Sequence, residues 1–240
     1  MSRTLLLTQR ELRSAFRSPV GAVIVAAMLL VDGILFYWLA LSQKLLSAEV
    51  LEQFFYNASG VMMIAAVVLG MRLIAEERQT GTLVLLNTSP ISSLEVVVGK
   101  YLSSMAILLL ATILSMYMPA LIFVNGKVSV GHILVGALGL LLLGSATTAI
   151  GLFASTLAKS QVVAALIGAA FTAAMVLLWI LAKAVEPPLN ELFGALALHH
   201  ENFRSFMNGT LNLGHVMYYL AVTYFFLLAA TKTLEARRWR

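Results

Sequence analysis

Residues 130–154 read VGHILVGALGLLLLGSATTAIGLFA, a mostly apolar stretch without a single Asp, Glu, Lys or Arg. A helix needs about 17–25 apolar residues to cross the hydrocarbon core of a bilayer, so this stretch is long enough to span a membrane. Five other stretches have the same character, which gives six predicted spans at 20–41, 54–74, 101–124, 130–154, 162–182 and 213–231. The sequence therefore predicts an all-α polytopic membrane protein.

The composition of the whole chain supports this fold class. Of its 240 residues, 60% are hydrophobic and only 11% are charged, whereas soluble domains carry about 25% charged residues. So few charges cannot cover a soluble surface, and such high hydrophobicity excludes intrinsic disorder. Cysteine is absent, which excludes a disulfide framework, a thiolate zinc site and a cysteine nucleophile. The net charge of +5 is typical of membrane topology and anionic lipid, so no nucleic acid partner is expected.

The distribution of basic residues predicts the orientation in the membrane. With the N-terminus inside, only four of the 16 Lys and Arg residues fall on the outer side: Lys44, Lys127, Lys183 and Arg204. Basic residues are enriched in cytoplasmic segments, so both termini are expected in the cytoplasm. An even number of spans requires the same arrangement.

Residues 1–19 form a unit of their own, ahead of a six-span membrane domain at 20–240. On a helix, one stripe of this unit contains Leu5, Thr8, Leu12, Ala15 and Phe16. Four arginines lie beside the stripe, which is typical of an amphipathic helix in the membrane interface with its apolar face toward lipid. A plain basic flank to the first span is the alternative.

The segment 75–92 reads AEERQTGTLVLLNTSPIS and separates the second span from the third. Gly81 is expected to break the helix, and Thr82 can cap a short new helix that Pro90 stops. Ser92 and Glu95 have the spacing of a capping box that opens the third span. The segment is therefore expected to form a short, partly apolar cytoplasmic helix suited to docking in a groove on a partner.

The segment 185–212 is the long outer loop. Its residues 189–207 have apolar positions at helical spacing, which favours one or two short helices against the outer membrane face over an ordinary covered loop. The four histidines of the chain all fall on this outer side, and hydrogen bonding at the interface is the favoured interpretation over a metal site. Within the third span, Pro119 is expected to kink the helix.

No catalytic constellation is found in the sequence. The chain has no phosphate-binding loop and no serine nucleophile elbow, and Arg204 stands where a zinc-protease helix beginning at His200 needs its second histidine. We therefore expect no enzyme activity, cofactor or metal in this chain, and any ATP drive would come from another subunit. Asp32 is the only acid inside a predicted span, so it is expected to face the bundle interior, a cavity or a partner.

Several stretches together resemble the permeases of ATP-binding-cassette exporters of the ABC type-2 class. They are 76–83 (EERQTGTL), 85–86 (LL), 89–90 (SP), 99–100 (GK) and 151–155 (GLFAS). The outer stretch 203–209 (FRSFMNG) is similar to the branch that contains gliding-motility permeases and the nitrous-oxide-reductase maturation permease. The resemblance implies an interfacial N-terminal helix, six spans and a coupling helix that docks on an ATPase subunit.

The resulting hypothesis is a permease subunit of an exporter in the bacterial inner membrane. It would act with a second permease chain, either identical or related, and with two ATPase subunits that hold ATP and Mg²⁺. ATP hydrolysis there would drive substrate export or transmit force outward. The residues assigned to ATPase coupling are Glu76, Glu77, Arg78, Gly81, Thr82, Leu83, Leu85, Leu86 and Pro90. Asp32 is the candidate for a translocation path.

Two other hypotheses stay open at this point. One is an autonomous secondary carrier or channel in which Asp32 couples transport to protons. The other is a membrane assembly protein that transports nothing.

Overall fold

The computed structural model describes residues 3–17, 19–41, 46–82, 91–124 and 128–238. Within these ranges the chain is helical apart from short turns, and they contain no strand. The helices are α1 (Arg3–Arg17), α2 (Pro19–Leu35), α3 (Ser47–Gln79), α4 (Ser93–Ser115), α5 (Tyr117–Leu121), α6 (Val130–Leu157), α7 (Gln161–Ala184), α8 (Leu189–Leu196), α9 (His200–Met207) and α10 (Leu213–Arg238). A π-helical turn, Phe36–Leu41, continues α2, and a 3₁₀ turn, Ile122–Val124, follows α5.

Six helices of the described ranges are long and apolar enough to cross a membrane, namely α2, α3, α4 together with α5, α6, α7 and α10. The predicted all-α polytopic fold is confirmed. The bounds of the second span differ most from the prediction, because α3 has 33 residues and is about 50 Å long. The hydrocarbon core is only about 30 Å thick, so polar turns of α3 extend beyond it.

The centre of the bundle is α6, which packs on α3, α4, α7 and α10. Its glycines let large neighbours approach: a Cβ added at Gly139 would lie 2.4 Å from Cβ of Phe206, and one added at Gly144 would lie 2.9 Å from Sδ of Met62. Small residues thus give α6 the close packing that interhelical contacts in membranes require.

Helix α1 packs on the bundle through a face that differs from the predicted stripe. Leu7, which lies outside that stripe, is only 5% exposed and contacts Gly99 of α4, whereas Leu5 is 50% exposed. The Thr8 hydroxyl donates to the carbonyl of Gly99 at 3.2 Å. Leu12 packs against the core as well. Part of the predicted lipid-facing stripe therefore faces protein, because the missing side chain at Gly99 leaves room for Leu7.

Local signals set the ends of α4 as predicted. Ser92 accepts a hydrogen bond from the backbone N–H of Glu95, and its own N–H donates to the Glu95 carboxylate at 2.8 Å, so the capping box is confirmed. Near the other end, α4 stops at Ser115 and α5 starts at Tyr117. Pro119 has no N–H for the carbonyl of Ser115, four residues earlier, which explains the break expected there.

The loop 185–212 contains the predicted short helices, α8 and α9, and the four histidines of the chain contact other residues of the protein. His132 pairs with the carbonyl of Met207 at 2.6 Å, His199 with the hydroxyl of Ser59 at 2.6 Å and His215 with the side-chain oxygen of Asn202 at 2.9 Å. His200 stacks on Trp179, with ring centroids 4.4 Å apart. The hydrogen-bonding interpretation is confirmed for three histidines.

Candidate coupling site

The turn after α3 begins as the sequence predicts. Gly81 has a φ of 74°, a left-handed conformation that glycine adopts without steric cost, and it ends the helix. The Thr80 hydroxyl donates to the carbonyl of Glu76 at 3.0 Å, and the Thr82 hydroxyl donates to that of Glu77 at 3.4 Å. Thr82 thus satisfies the end of α3. The remaining coupling residues predicted in this segment lie outside the described residues: Leu83, Leu85, Leu86 and Pro90.

A buried ammonium group lies beside this turn. Lys100, in the second turn of α4, is only 2% exposed. Its Nζ lies 2.8 Å from Oε1 of Glu77 on α3 and 3.2 Å from Oε1 of Glu11 on α1. A buried charge is tolerated only when it is paired, so these carboxylates are what allow Lys100 to be buried. Three elements that are distant in the sequence meet at one cation.

The neighbouring acid, Glu76, has a different role from Glu77. Adjacent residues on a helix diverge by about 100°, so their side chains point to different sides of α3. Glu76 forms a two-pronged contact with Arg72, one turn earlier, at 3.0 Å for both hydrogen bonds. The pair is partly exposed and stays within α3. Of these two acids, only Glu77 connects the end of α3 to other elements.

Arg78 fastens the end of α3 to the end of α6. Its guanidinium donates to the carbonyls of Ala158 and of Thr156, the latter at 3.2 Å. Arg237 of α10 donates to the adjacent carbonyl of Leu157 at 2.8 Å. The last carbonyls of a helix have no partner within it, so two arginines supply the partners here. The base of α3 is thus attached to α6 through Arg78 and to α1 through Glu77 and Lys100.

About two turns before Arg78, the backbones of α3 and α6 touch. A Cβ added at Gly70 would lie 2.8 Å from Cα of Gly151. The Ser155 hydroxyl, on the next turn of α6, donates to the carbonyl of Met71 at 2.9 Å and accepts from the N–H of Ala75 at 2.8 Å. These two backbone groups are the ones that close a single turn of a helix. Ser155 therefore bridges one turn of α3 from the neighbouring helix.

Replacing Ser155 with alanine is expected to lower the free energy of unfolding by about 1–3 kcal/mol, because the buried hydrogen bonds that join α6 to α3 are lost. Ser115→Ala is the matched control, since that buried hydroxyl bonds only to a carbonyl of its own helix, at 2.9 Å. Thermal unfolding of the purified variants in detergent measures the difference. Equal losses in the two variants would contradict the bridging role.

A polar cleft of about 300 Å³ lies between α1, α3 and α4, next to the turn. Lys100, Glu11 and Glu77 line it together with Arg72 and Thr82. These side chains include both signs of charge, so the cleft has no net preference for a cation or an anion. Solvent in the cleft reaches the carboxylates of Glu11 and Glu77, which are 22% and 18% exposed, whereas Lys100 is only 2% exposed.

Asp32 is not part of this site. It lies on α2 about 16 Å along the helix from Gly21, which lines the cleft. It is 5% exposed and shares the inward face of α2 with Met28 and Ile24. Its Oδ1 has no hydrogen-bond partner among the described residues. The predicted inward orientation is confirmed.

Sequence reasoning identified Glu76, Glu77, Arg78 and Gly81 but gave Lys100 no role of its own. The available signal was that Lys100 is a lone lysine at the start of an apolar stretch. Two acids, Glu11 and Glu77, are predicted near the same membrane face. Nothing in the sequence links those acids to Lys100, because they belong to α1 and α3.

Comparison with known proteins supplies the family. No curated protein matches the chain in sequence. The sequence profile of the family described as ABC-2 family transporter protein matches residues 5–229. The match begins in α1 and ends in α10, so it includes the turn after α3 and Lys100. The resemblance noted above is confirmed at the level of the family, while the gliding-motility branch stays a prediction. The chain belongs to the ABC-2 transporter family and is the membrane permease component of an ABC transporter, which works with an ABC ATPase.

Proposed function

We propose that this permease couples ATP hydrolysis on separate ATPase subunits to export, through the segment 75–92. Both termini would lie in the cytoplasm, and the membrane would be the bacterial inner membrane. The observation that carries the proposal is the attachment of the end of α3, just before the turn, to α1, α4 and α6.

These contacts explain how a push on residues 83–90 would reach the spans. The segment is held at one end by the turn at Gly81 and at the other by the Ser92 capping box. A displacement therefore acts on α3 and α4 together. Arg78 and Ser155 connect α3 to α6, the centre of the bundle, so the same displacement rearranges the core.

The proposed assembly has two ATPase subunits, which hold ATP and Mg²⁺, and a second permease chain, either identical or related. Of the six described spans, α7 and α10 are the least buried. Their apolar surfaces are available to lipid and to a second permease. The chain itself would contribute no cofactor.

The experiment tests the docking residues. In Leu85→Asp/Leu86→Asp, two charges replace the predicted apolar contacts, and we expect the ATPase to be lost when the tagged permease is purified from native membranes. Burying an unpaired carboxylate in an interface costs several kcal/mol, which corresponds to more than a hundredfold loss of affinity. The matched control is Leu85→Met/Leu86→Met, which keeps the apolar volume and is expected to retain the ATPase. Unchanged ATPase recovery and ATP turnover in the aspartate variant would refute the docking assignment.

Asp32 keeps the role of a candidate group on the translocation path within this exporter. Its burial without a partner for Oδ1 among the described residues supports that role. The autonomous carrier that would depend on Asp32 is less well supported, because members of this family work with an ATPase.

A further inference from the structure

A side chain of α4, Lys100, connects the N-terminal helix to the end of α3 just before the coupling turn. Helix α1 packs mainly on α4 and α2. Its link to the end of α3 runs through Lys100, whose Nζ contacts Glu11 on one side and Glu77 on the other. Glu77 lies three residues before Thr80, the residue at which the turn starts. Any shift of the turn thus acts directly on the carboxylate that holds Lys100.

Electrostatics make this link stiff. The cluster has two carboxylates for one ammonium, and the ammonium is almost fully removed from solvent. If either carboxylate moved away, a buried charge would lose a partner in a medium of low dielectric, which is strongly unfavourable. Movement of α1, α3 and α4 as a unit keeps both contacts intact. Movement of α3 alone would break the contact between Glu77 and Lys100.

We propose that Lys100 is a positioning residue that makes α1 move with the end of α3 during the ATP cycle. The proposal rests on the function proposed above, in which residues 75–92 receive the movement of the ATPase. In this proposal α1 anchors the permease at the membrane surface and also moves with α3, so it helps to transmit the movement of the ATPase. Lys100 itself acts through the two helices that it joins.

If the cluster only stabilises the fold, ATP turnover should be normal once folding is restored. Variants with neutral side chains separate this structural role from the proposed positioning role. Lys100→Met alone leaves two partly buried carboxylates without their shared ammonium, and we expect poor recovery of folded protein. The triple variant Glu11→Gln/Glu77→Gln/Lys100→Met removes all three charges of the cluster. Replacing a whole buried ion network with neutral groups is often well tolerated, so its folded yield should return to near wild type.

The triple variant is the decisive one for function. Its docking residues are intact, so we expect normal co-purification of the ATPase, with ATP turnover per bound ATPase reduced roughly five- to tenfold. If turnover recovers together with the folded yield, the cluster only stabilises the fold and the proposal is wrong.

A second readout follows the position of α1 directly. Because the chain has no cysteine, Ser14→Cys places a unique thiol on α1 where it lines the cleft. With the ATPase bound, we expect its maleimide labelling rate to change roughly threefold between ADP and a non-hydrolysable ATP analogue, because α2, whose Gly21 also lines the cleft, is not part of the moving unit. In the triple variant the nucleotide should have no effect. Leu5→Cys, exposed on the same helix, controls for access of the reagent.

The outcomes distinguish this inference from the function on which it rests. One outcome is that Leu85→Asp/Leu86→Asp loses the ATPase, while the labelling rate of Ser14→Cys with the cluster intact is the same in ADP and in the ATP analogue. In that case α1 does not move, and only this inference fails. If the aspartate variant keeps the ATPase and its turnover, the proposed docking fails first, and the inference fails with it.

Discussion

The variant Gly70→Ala is expected to unfold roughly 6–12 °C below the wild type. The added Cβ would lie 2.8 Å from Cα of Gly151 and 2.9 Å from its carbonyl carbon. Both are backbone atoms of α6, so they cannot rotate away as a flexible side chain would. Helices α3 and α6 would have to separate, at a cost of about 3 kcal/mol.

Gly60 provides a matched control on the same helix. A Cβ added there meets nothing within 4 Å, so Gly60→Ala should leave stability unchanged or raise it by up to about 1 kcal/mol, since alanine is the better helix former. The two variants can be compared by thermal unfolding in detergent and by the ATP turnover of the co-purified complex. Separation of α3 from α6 would also break the Ser155 bridge. Similar midpoints for the two alanine variants would show that the crossing is looser than these distances indicate.

Protein stability is expected to fall between pH 7 and pH 5 because of one outer histidine. Burial, with a smaller contribution from His200, lowers the pKa of His199 from 6.5 to about 4. The Ser59 hydroxyl donates to the carbonyl of Tyr56, so it accepts the Nε2–H of a neutral His199. The imidazole also stacks on Phe203, with centroids 5.2 Å apart. The folded protein therefore holds the neutral ring.

The sign of the pH effect follows from proton binding. Below pH 6.5 the unfolded chain takes up a proton at His199, whereas the folded protein does not until about pH 4. The stability from this site is thus complete above pH 6.5 and is lost as the pH falls toward 4. The pKa difference corresponds to roughly 3 kcal/mol over the whole range and roughly 2 kcal/mol by pH 5.

Thermal unfolding as a function of pH measures this effect. In His199→Gln the fall in midpoint between pH 7 and pH 5 should largely disappear. In His200→Gln it should persist, because the burial of His199, the larger cause, is unchanged. If His199→Gln kept the full fall in midpoint between pH 7 and pH 5, the pH dependence would come from other groups.

Much of the architecture follows from local sequence signals. The spans, the Ser92 capping box, the helix end at Gly81 and the break before Pro119 each depend on residues within a few positions of one another. Apolar length and backbone chemistry act at that range, so a single sequence is enough to predict them. The family follows from the same stretches read together, since the profile match spans nearly the whole chain.

Half of the coupling site could not be predicted in this way. Glu77 and Arg78 were identified as residues at the base of the second span, but their partners were not. Arg78 donates to a carbonyl 78 positions away, and Ser155 bridges to Ala75 across 80 positions. Side-chain type does not encode which distant backbone group becomes available, because that depends on where two helices cross.

The sequence by itself determined the all-α membrane fold with six apolar helices, the Ser92 capping box and the helix end at Gly81. Only the tertiary structure decided that Leu7 anchors α1 and that Lys100 is buried between Glu11 and Glu77. The physical reason is the range of the forces. Hydrophobic length and helix capping act along the chain, whereas pairing of a buried charge is settled by which helices pack side by side.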